Sequence, residues 1–160
     1  MLEMKNVVNV HMEPLTVLGT VKKGRYEEIG ELIEKLFNFA SEKGINIEGS
    51  PLYVCHESCI EEMKKADMEG NAQIEVAVPI SGKAEEGKDI KIYQLQGGQM
   101  AMIKHIGPYE GCESSYKRLF SWIKERKREI VGPIREVYLN DPEKVPKEDI
   151  QTQIYAPIGG

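Results

Sequence analysis

The chain states one pattern twice. Gly24-Arg25-Tyr26-Glu27 returns as Gly107-Pro108-Tyr109-Glu110. At the same spacing Leu36-Phe37 falls on Leu119-Phe120, Phe39 on Trp122, Ile47 on Ile130, Gly49 on Gly132 and Val54 on Val137. Beyond that, a shorter spacing carries Gln73, Val76, Pro79, Ile80 and Gly82 onto Gln151, Ile154, Pro157, Ile158 and Gly160. The stretch between Val54 and Ala72 is therefore a slightly longer loop than its second-half counterpart. A doubled unit confines the fold to two like halves about a pseudo-two-fold, with a junction where a ligand could sit. In a chain of 160 residues each half alone would be a marginal folding unit, so the halves are expected to share one core. The reading is a single domain over 1–160 made of repeats 5–80 and 89–158.

Each half reads as strand, strand, helix, strand, strand. In the first, 7–11 is a short β-branched run, and 16–22 alternates, with Val17, Gly19 and Val21 against Leu18 and Thr20. The helix 26–43 sets Ile29, Leu32, Ile33, Leu36, Phe37 and Ala40 on one stripe, and Gly44 is its stop. Strands follow at 52–55 and 73–78; the second places Ile74, Val76 and Val78 on one face and Gln73, Glu75 and Ala77 on the other. Polar, glycine-bearing 81–88 reads as a linker between halves. The scheme then repeats, with strands 90–95 and 99–105, a helix 109–128 entered through Gly107-Pro108, and strands 134–139 and 151–156. The economical assembly is α+β: two strand-strand-helix-strand-strand repeats forming an eight-stranded antiparallel sheet, with two long helices on one side.

The bulk chemistry narrows function before any motif is weighed. At 41% hydrophobic and 29% charged the chain has the makings of a folded protein. A net charge of -5 without a basic stripe argues against direct nucleic-acid binding. No apolar run reaches the length of a membrane span, and the opening Met1-Leu2-Glu3-Met4-Lys5-Asn6 lacks a signal-peptide pattern. A cytoplasmic location without a membrane partner is expected. Cys55, Cys59 and Cys112 read as reduced thiols. Cys55-His56-Glu57-Ser58-Cys59 has metal-capable side chains but no second ligand cluster, and no Walker loop, dinucleotide fingerprint or Ser-His-Asp set appears. Neither a metal nor a cofactor is expected.

Shared features report the fold, and departures can report function. Leu32 becomes Ser115 and, two turns further on, Phe39 becomes Trp122. A hydroxyl beside an indole could wall an aromatic pocket; the alternative is that Ser115 lies at the rim and Trp122 is interior packing. Tyrosines gather in strands, at Tyr53, Tyr93, Tyr138 and Tyr155. Glu136 and Tyr138 point one way along their strand, as do Gln151, Gln153 and Tyr155 along theirs. On one shared face these would set a carboxylate, phenols and amides around a groove suited to a flat organic ligand, cations included. The alternative is a solvated strand face. Glu75 and Glu136 are the carboxylates expected to face a groove, and burial would raise either pKa toward acid–base use. The candidate ligand-binding residues are Glu136, Tyr138, Trp122, Tyr155, Gln153, Tyr53, Glu75 and Ser115.

Several of these residues fall in a familiar order. His105-Ile106-Gly107-Pro108-Tyr109-Glu110, then Gly132-Pro133, then Glu136-Val137-Tyr138-Leu139-Asn140-Asp141-Pro142, then Thr152-Gln153-Ile154-Tyr155-Ala156-Pro157-Ile158 resembles the gyrase-inhibitor-like (GyrI-like) small-molecule-binding domain. That domain is also the effector-binding module of many AraC- and MerR-type transcription regulators. Gln73-Ile74-Glu75-Val76-Ala77-Val78-Pro79-Ile80 fits the first half, and the resemblance spans about residues 5–158. It implies two strand-helix-strand-strand modules about a pseudo-dyad, and a groove for hydrophobic, often cationic, compounds in which a carboxylate serves cation recognition or acid–base chemistry. Family members are ligand sensors, protective proteins or gyrase modulators, and some hydrolyse strained cyclopropane-bearing molecules. The chain departs where members often carry glutamate, at Gln153, because an amide can neither neutralise a cation nor shuttle a proton. Glu136 or Glu75 would have to substitute.

The leading expectation is a stand-alone protein that binds a small hydrophobic or cationic compound, an effector or a toxic molecule, in regulation or protection. The first alternative is hydrolysis of a strained electrophile by a groove glutamate and a tyrosine. The second is a protein-interaction role such as gyrase modulation.

Overall fold

The computed structural model describes residues 7–159; residues 5 and 6 of the first repeat, and Gly160, expected to match Gly82, lie outside them. In chain order the first elements are β1 (Val8–Met12), β2 (Leu15–Gly24), α1 (Ile29–Lys43), β3 (Asn46–Ile47), β4 (Leu52–Cys55), α2 (Ile60–Glu69) and β5 (Ala72–Ser81). Then come β6 (Lys91–Leu95), β7 (Gly98–Ile106), α3 (Cys112–Glu125), β8 (Glu129–Ile130), β9 (Ile134–Tyr138) and β10 (Gln151–Gly159). The expected α+β architecture is present, with antiparallel strands and two long helices. The described residues form two compact units, one of residues 14–96 and one of 7–13 with 97–159.

In the unit of residues 14–96 the strands run in the order β4-β5-β2-β6, with β3 beside the end of β5. In the other the order is β1-β7-β10-β9, with β8 beside the end of β10. The first strand of each sequence repeat therefore pairs outside its own repeat: β1 with β7, and β6 with β2. The stretch 81–88, expected as a linker between halves, is bound into the first of these units. Thr20 Oγ1 donates to the Asp89 carbonyl at 2.8 Å, and the Ile92 N–H donates to Glu86 Oε2 at 2.8 Å. The Phe39 ring lies against Gly87.

Matched positions make matched bonds. The Glu48 N–H donates to the Pro79 carbonyl at 3.0 Å, and the corresponding Val131 N–H to the Pro157 carbonyl at 2.9 Å. Both long helices follow a single 3-10 turn, Tyr26–Glu28 and Tyr109–Gly111. The buried Leu32, Leu36 and Ala40 of α1 correspond to the buried Ser115, Leu119 and Ile123 of α3. Phe37, expected in the stripe, lies on the exposed flank instead. Gly44 closes α1 in the left-handed region at φ 67, as expected of a residue without a Cβ. Its counterpart after α3 is Lys127, also left-handed at φ 55, and α3 ends at Glu125, short of the expected 128.

Two readings need correction. The long stretch between Val54 and Ala72 is not a loop, because α2 occupies it, packs on β5 and ends at Gly70 with φ 67. None of its residues is buried, so it lacks the apolar stripe that marks α1. β5 is buried on both faces from Ala72 to Ile80, Gln73 excepted, so Glu75 is an interior carboxylate. Leu18, Leu36, Ile74, Val76 and Val78 make the core of one unit, and Met100, Ile103, Leu119 and Ile154 that of the other. Among the described residues no helix is long and apolar enough to cross a membrane.

Candidate functional site

Alternation along β9 puts Glu136 and Tyr138 on one face, and the register sets them beside Ile154 and Thr152 of β10. α3 lies over that face. From it Tyr116 donates a short hydrogen bond to Glu136 Oε2, while the Tyr138 hydroxyl donates to Glu136 Oε1 at 2.9 Å. Tyr109, in the turn that opens α3, stands edge-on to Tyr138 with ring centres 5.6 Å apart and planes at 71°. Phe120 tilts against Tyr116 at 5.9 Å. One carboxylate thus sits among three phenols and a phenyl ring, and its hydrogen-bond partners are neutral.

The electrostatics follow from that setting. Burial pushes the Glu136 carboxyl above its ordinary value, against the two phenol hydrogen bonds that pull it down. Burial, then the Glu136 charge, raises Tyr138 well above a free phenol; burial, with smaller help from neighbouring charges, pushes Tyr109 up to about 12. Both phenols remain donors at neutral pH. Glu136 keeps part of its surface accessible although protein surrounds it, as a recessed anionic site requires.

His105 and Ser115 hold the mouth of α3 in place. His105 is buried, with Nε2 2.9 Å from the Pro108 carbonyl and Nδ1 2.9 Å from Ser115 Oγ. A carbonyl only accepts, so Nε2 carries a proton; in the neutral ring Nδ1 then accepts from the serine hydroxyl. This pair ties β7, the turn before α3 and α3 itself together, which fixes where Tyr109 and Tyr116 stand.

The unit of residues 14–96 holds a second carboxylate cluster. Glu75 shares a strand face with Val54 of β4 and Val21 of β2. Its Oε1 lies 2.7 Å from His56 Nε2, and its Oε2 accepts from the Tyr93 hydroxyl at 2.6 Å. Tyr93 belongs to β6, with β2 lying between it and Glu75. It crosses β2 at Gly19, where a Cβ would come within 2.1 Å of the phenol oxygen. Glycine is needed there for close approach. Burial first, then the bond to Glu75, raises the Tyr93 pKa. Nearby, Tyr26 stands edge-on to Tyr53 at 5.7 Å, and Glu57 Oε1 accepts from Tyr26 at 2.5 Å.

Of the sequence candidates, Glu136 and Tyr138 meet directly. Gln153 and Tyr155 do not share their face: the register pairs Gln153 with Val137 and Tyr155 with Arg135, on the opposite side of the sheet. There the Tyr155 hydroxyl donates to Gln153 Oε1 at 2.9 Å. Ser115 is fully buried against His105, and Trp122 is half-buried with the Arg126 guanidinium 4.1 Å from its ring centre. Tyr53 and Glu75 lie in the other unit's clusters. Tyr116, Tyr109, His56 and Tyr93 join these clusters without having been singled out as site residues. Tyr116 had a signal, since it stands where the first repeat has Ile33, a phenol set into an apolar stripe. Among the described residues no group of three His, Cys, Asp or Glu could hold a metal ion.

A family model described as GyrI-like small molecule binding domain matches residues 5–159. No curated protein matches the sequence. Among solved structures, the EcmrR C-terminal domain superposes with a TM-score of 0.86 at 14% identity, covering 98% of this chain and 99% of that one. A hydrolase encoded by lin2189 from Listeria innocua gives 0.70 at 11% identity, over 96% of this chain and 91% of that one. SAV2435 bound to tetraphenylphosphonium gives 0.57 at 13% identity, over 97% and 94%. At these identities the likeness is one of fold.

Proposed function

We propose, for a chain that belongs to the GyrI-like small molecule binding domain family, that Glu136 and the tyrosines around it hold a small hydrophobic or cationic organic ligand. One observation carries the reading: a recessed carboxylate whose hydrogen-bond partners, among the described residues, are the neutral phenols of Tyr116 and Tyr138. An ionised carboxylate short of water and of a cationic partner is costly, and an arriving cation offsets that cost. The rings of Tyr109, Tyr138, Tyr116 and Phe120 supply the apolar contact and the electron-rich faces that an organic cation prefers. The ligand would be an effector or a toxic compound, and the protein's role regulation or protection.

SAV2435 is a protein with this fold bound to tetraphenylphosphonium, which recommends that cation as the probe. Titration followed by calorimetry and by emission of the sole tryptophan, Trp122, should show binding by the native protein. Glu136→Gln should weaken it at least tenfold, or about 1.4 kcal/mol. Equal affinity in the variant, or no response to a panel of hydrophobic cations, contradicts the reading.

A second reading, hydrolysis of a strained electrophile, draws on Glu75, which has an imidazole at one oxygen and a phenol donor at the other. A carboxylate so placed can activate water while a tyrosine protonates a leaving oxygen. Turnover of a cyclopropane-bearing alkylator that is abolished by Glu75→Gln supports it, and turnover unaffected by both Glu75→Gln and Glu136→Gln removes these assignments.

A further inference from the structure

We propose that Glu75 activates water through His56, whose Nδ1 is the base that faces the substrate. The inference rests on the hydrolytic reading of Glu75 and changes which atom takes the proton. Both oxygens of Glu75 are engaged, Oε1 with His56 Nε2 at 2.7 Å and Oε2 with the Tyr93 hydroxyl at 2.6 Å. The carboxylate is also the deeper group: 11% of its side chain is exposed, against 28% for His56. A carboxylate ion only accepts, so Nε2 carries the shared proton, and in the neutral ring Nδ1 keeps a lone pair. Among the described residues nothing bonds to Nδ1.

The fold fixes that imidazole. Val54 stands opposite Glu75 in the register of β4 with β5, and alternation carries His56, two residues on, to the same side. Cys55 is buried, and its thiol donates to the Glu57 carbonyl at 3.6 Å. Glu57 in turn accepts from the Tyr26 hydroxyl and from the Gln73 N–H at 3.1 Å. The residues on both sides of His56 are thereby anchored, and Glu75 sets the tautomer, as a carboxylate does when it orients a histidine base. Across Glu75 from His56, Val21 lies directly opposite the glutamate in the register with β2 and is 55% exposed. An apolar side chain left open beside the pair gives the body of an organic electrophile a place to rest. In the step, Nδ1 takes a proton from water as the water oxygen bonds to a ring carbon of a cyclopropane conjugated with a carbonyl. The carbon–carbon bond breaks and its electron pair passes to the carbonyl oxygen. That oxygen takes up a proton, and the imidazolium returns its own through solvent.

The test follows the opening of a spirocyclopropyl cyclohexadienone by loss of its dienone absorbance, with the full chain. Native protein should turn it over. His56→Gln keeps a donor for Glu75 but has no basic nitrogen, so kcat/KM should fall roughly a hundredfold or more. His56→Ala should fall as far, and added imidazole should restore turnover in proportion to its concentration, a rescue that a purely structural histidine would not show. Native-like circular dichroism would show both variants to be folded. Turnover lost in Glu75→Gln but kept in His56→Gln would make Glu75 itself the base, overturning the inference and leaving the hydrolytic reading intact. Failure of imidazole to rescue His56→Ala would overturn the inference too. No turnover by native protein would remove both.

Discussion

Both units place a carboxylate among tyrosines, but they satisfy it differently. Glu136 lies under α3 and is bonded by two phenols, neither of which can become a cation. Glu75 is bonded by one phenol and by His56, which can. The acids do not occupy matched positions: the counterpart of Glu75 is Gln153, and that of Glu136 is Tyr53. Matched backbone thus carries unmatched chemistry, and the contrast separates the two jobs. Glu75 has its own potential counter-charge and reads as internally compensated. Among the described residues Glu136 has none, which is the condition on which the proposed cation site rests.

The largest expected effect breaks the Glu75 cluster alone. Gly19→Val would drive a side chain into the Tyr93 phenol, expel the ring and strip Glu75 of a donor. A loss of about 3 kcal/mol or more in urea unfolding is expected, from overpacking plus an unmade bond to a buried charge. Tetraphenylphosphonium binding at Glu136 should persist under native conditions. The matched position in the other unit is Met102, opposite Val8, so no ring crosses the sheet there and a change at Met102 should not reproduce the effect.

Next comes Tyr138→Phe, which removes one of the two donors to Glu136. About 2 kcal/mol of stability should be lost. The carboxyl should titrate higher still, so cation binding should require a higher pH than in the native protein.

The pH dependence sharpens the contrast further. Because burial raises the folded-state pKa of Glu136, the native state holds that proton longer than the unfolded chain, whose value is about 4.3. Between those two values the folded form binds more protons, so this group's contribution to stability falls as pH rises through the window and stays lower above it. Glu136→Gln should abolish this component and leave the protein more stable than wild type at neutral pH, as read by melting temperature across a pH series. A steeper pH dependence in the variant would refute the assignment.

The smallest effect lies at the helix ends. Lys127 adopts the left-handed backbone that Gly44 adopts at the matched position. Lys127→Gly should therefore gain about 0.5–1 kcal/mol, the Cβ penalty less the added freedom of the unfolded chain. Gly44→Lys should lose a similar amount.

What was legible in the sequence followed from periodicity. The stripe Leu32, Leu36 and Ala40, the Gly44 stop and the alternation around Ile74, Val76 and Val78 all report burial, which is a local property of spacing. Strand partners are not local. Nothing in Val8–Met12 says that it pairs with residues 98–102 of β7 instead of a strand of its own repeat, so the exchange of first strands could not be read. α2 was missed because none of its side chains is buried. For the site, Glu136 and Tyr138 were legible because alternation on one strand puts them together. Gln153 and Tyr155 were misjoined to them because the relative face of two strands depends on register, and a single residue of slip inverts it. Tyr93 reaching Glu75 depended on a missing side chain at Gly19, which only coordinates reveal.

Carbon-13 NMR titration of the Glu136 carboxyl, with and without tetraphenylphosphonium, bears on the central point. The free protein should titrate above the ordinary glutamate range, and saturation with the cation should bring the midpoint down, because a bound cation favours the ionised form. A midpoint in the ordinary range, or one that the cation does not move, would mean that Glu136 is not the anchor.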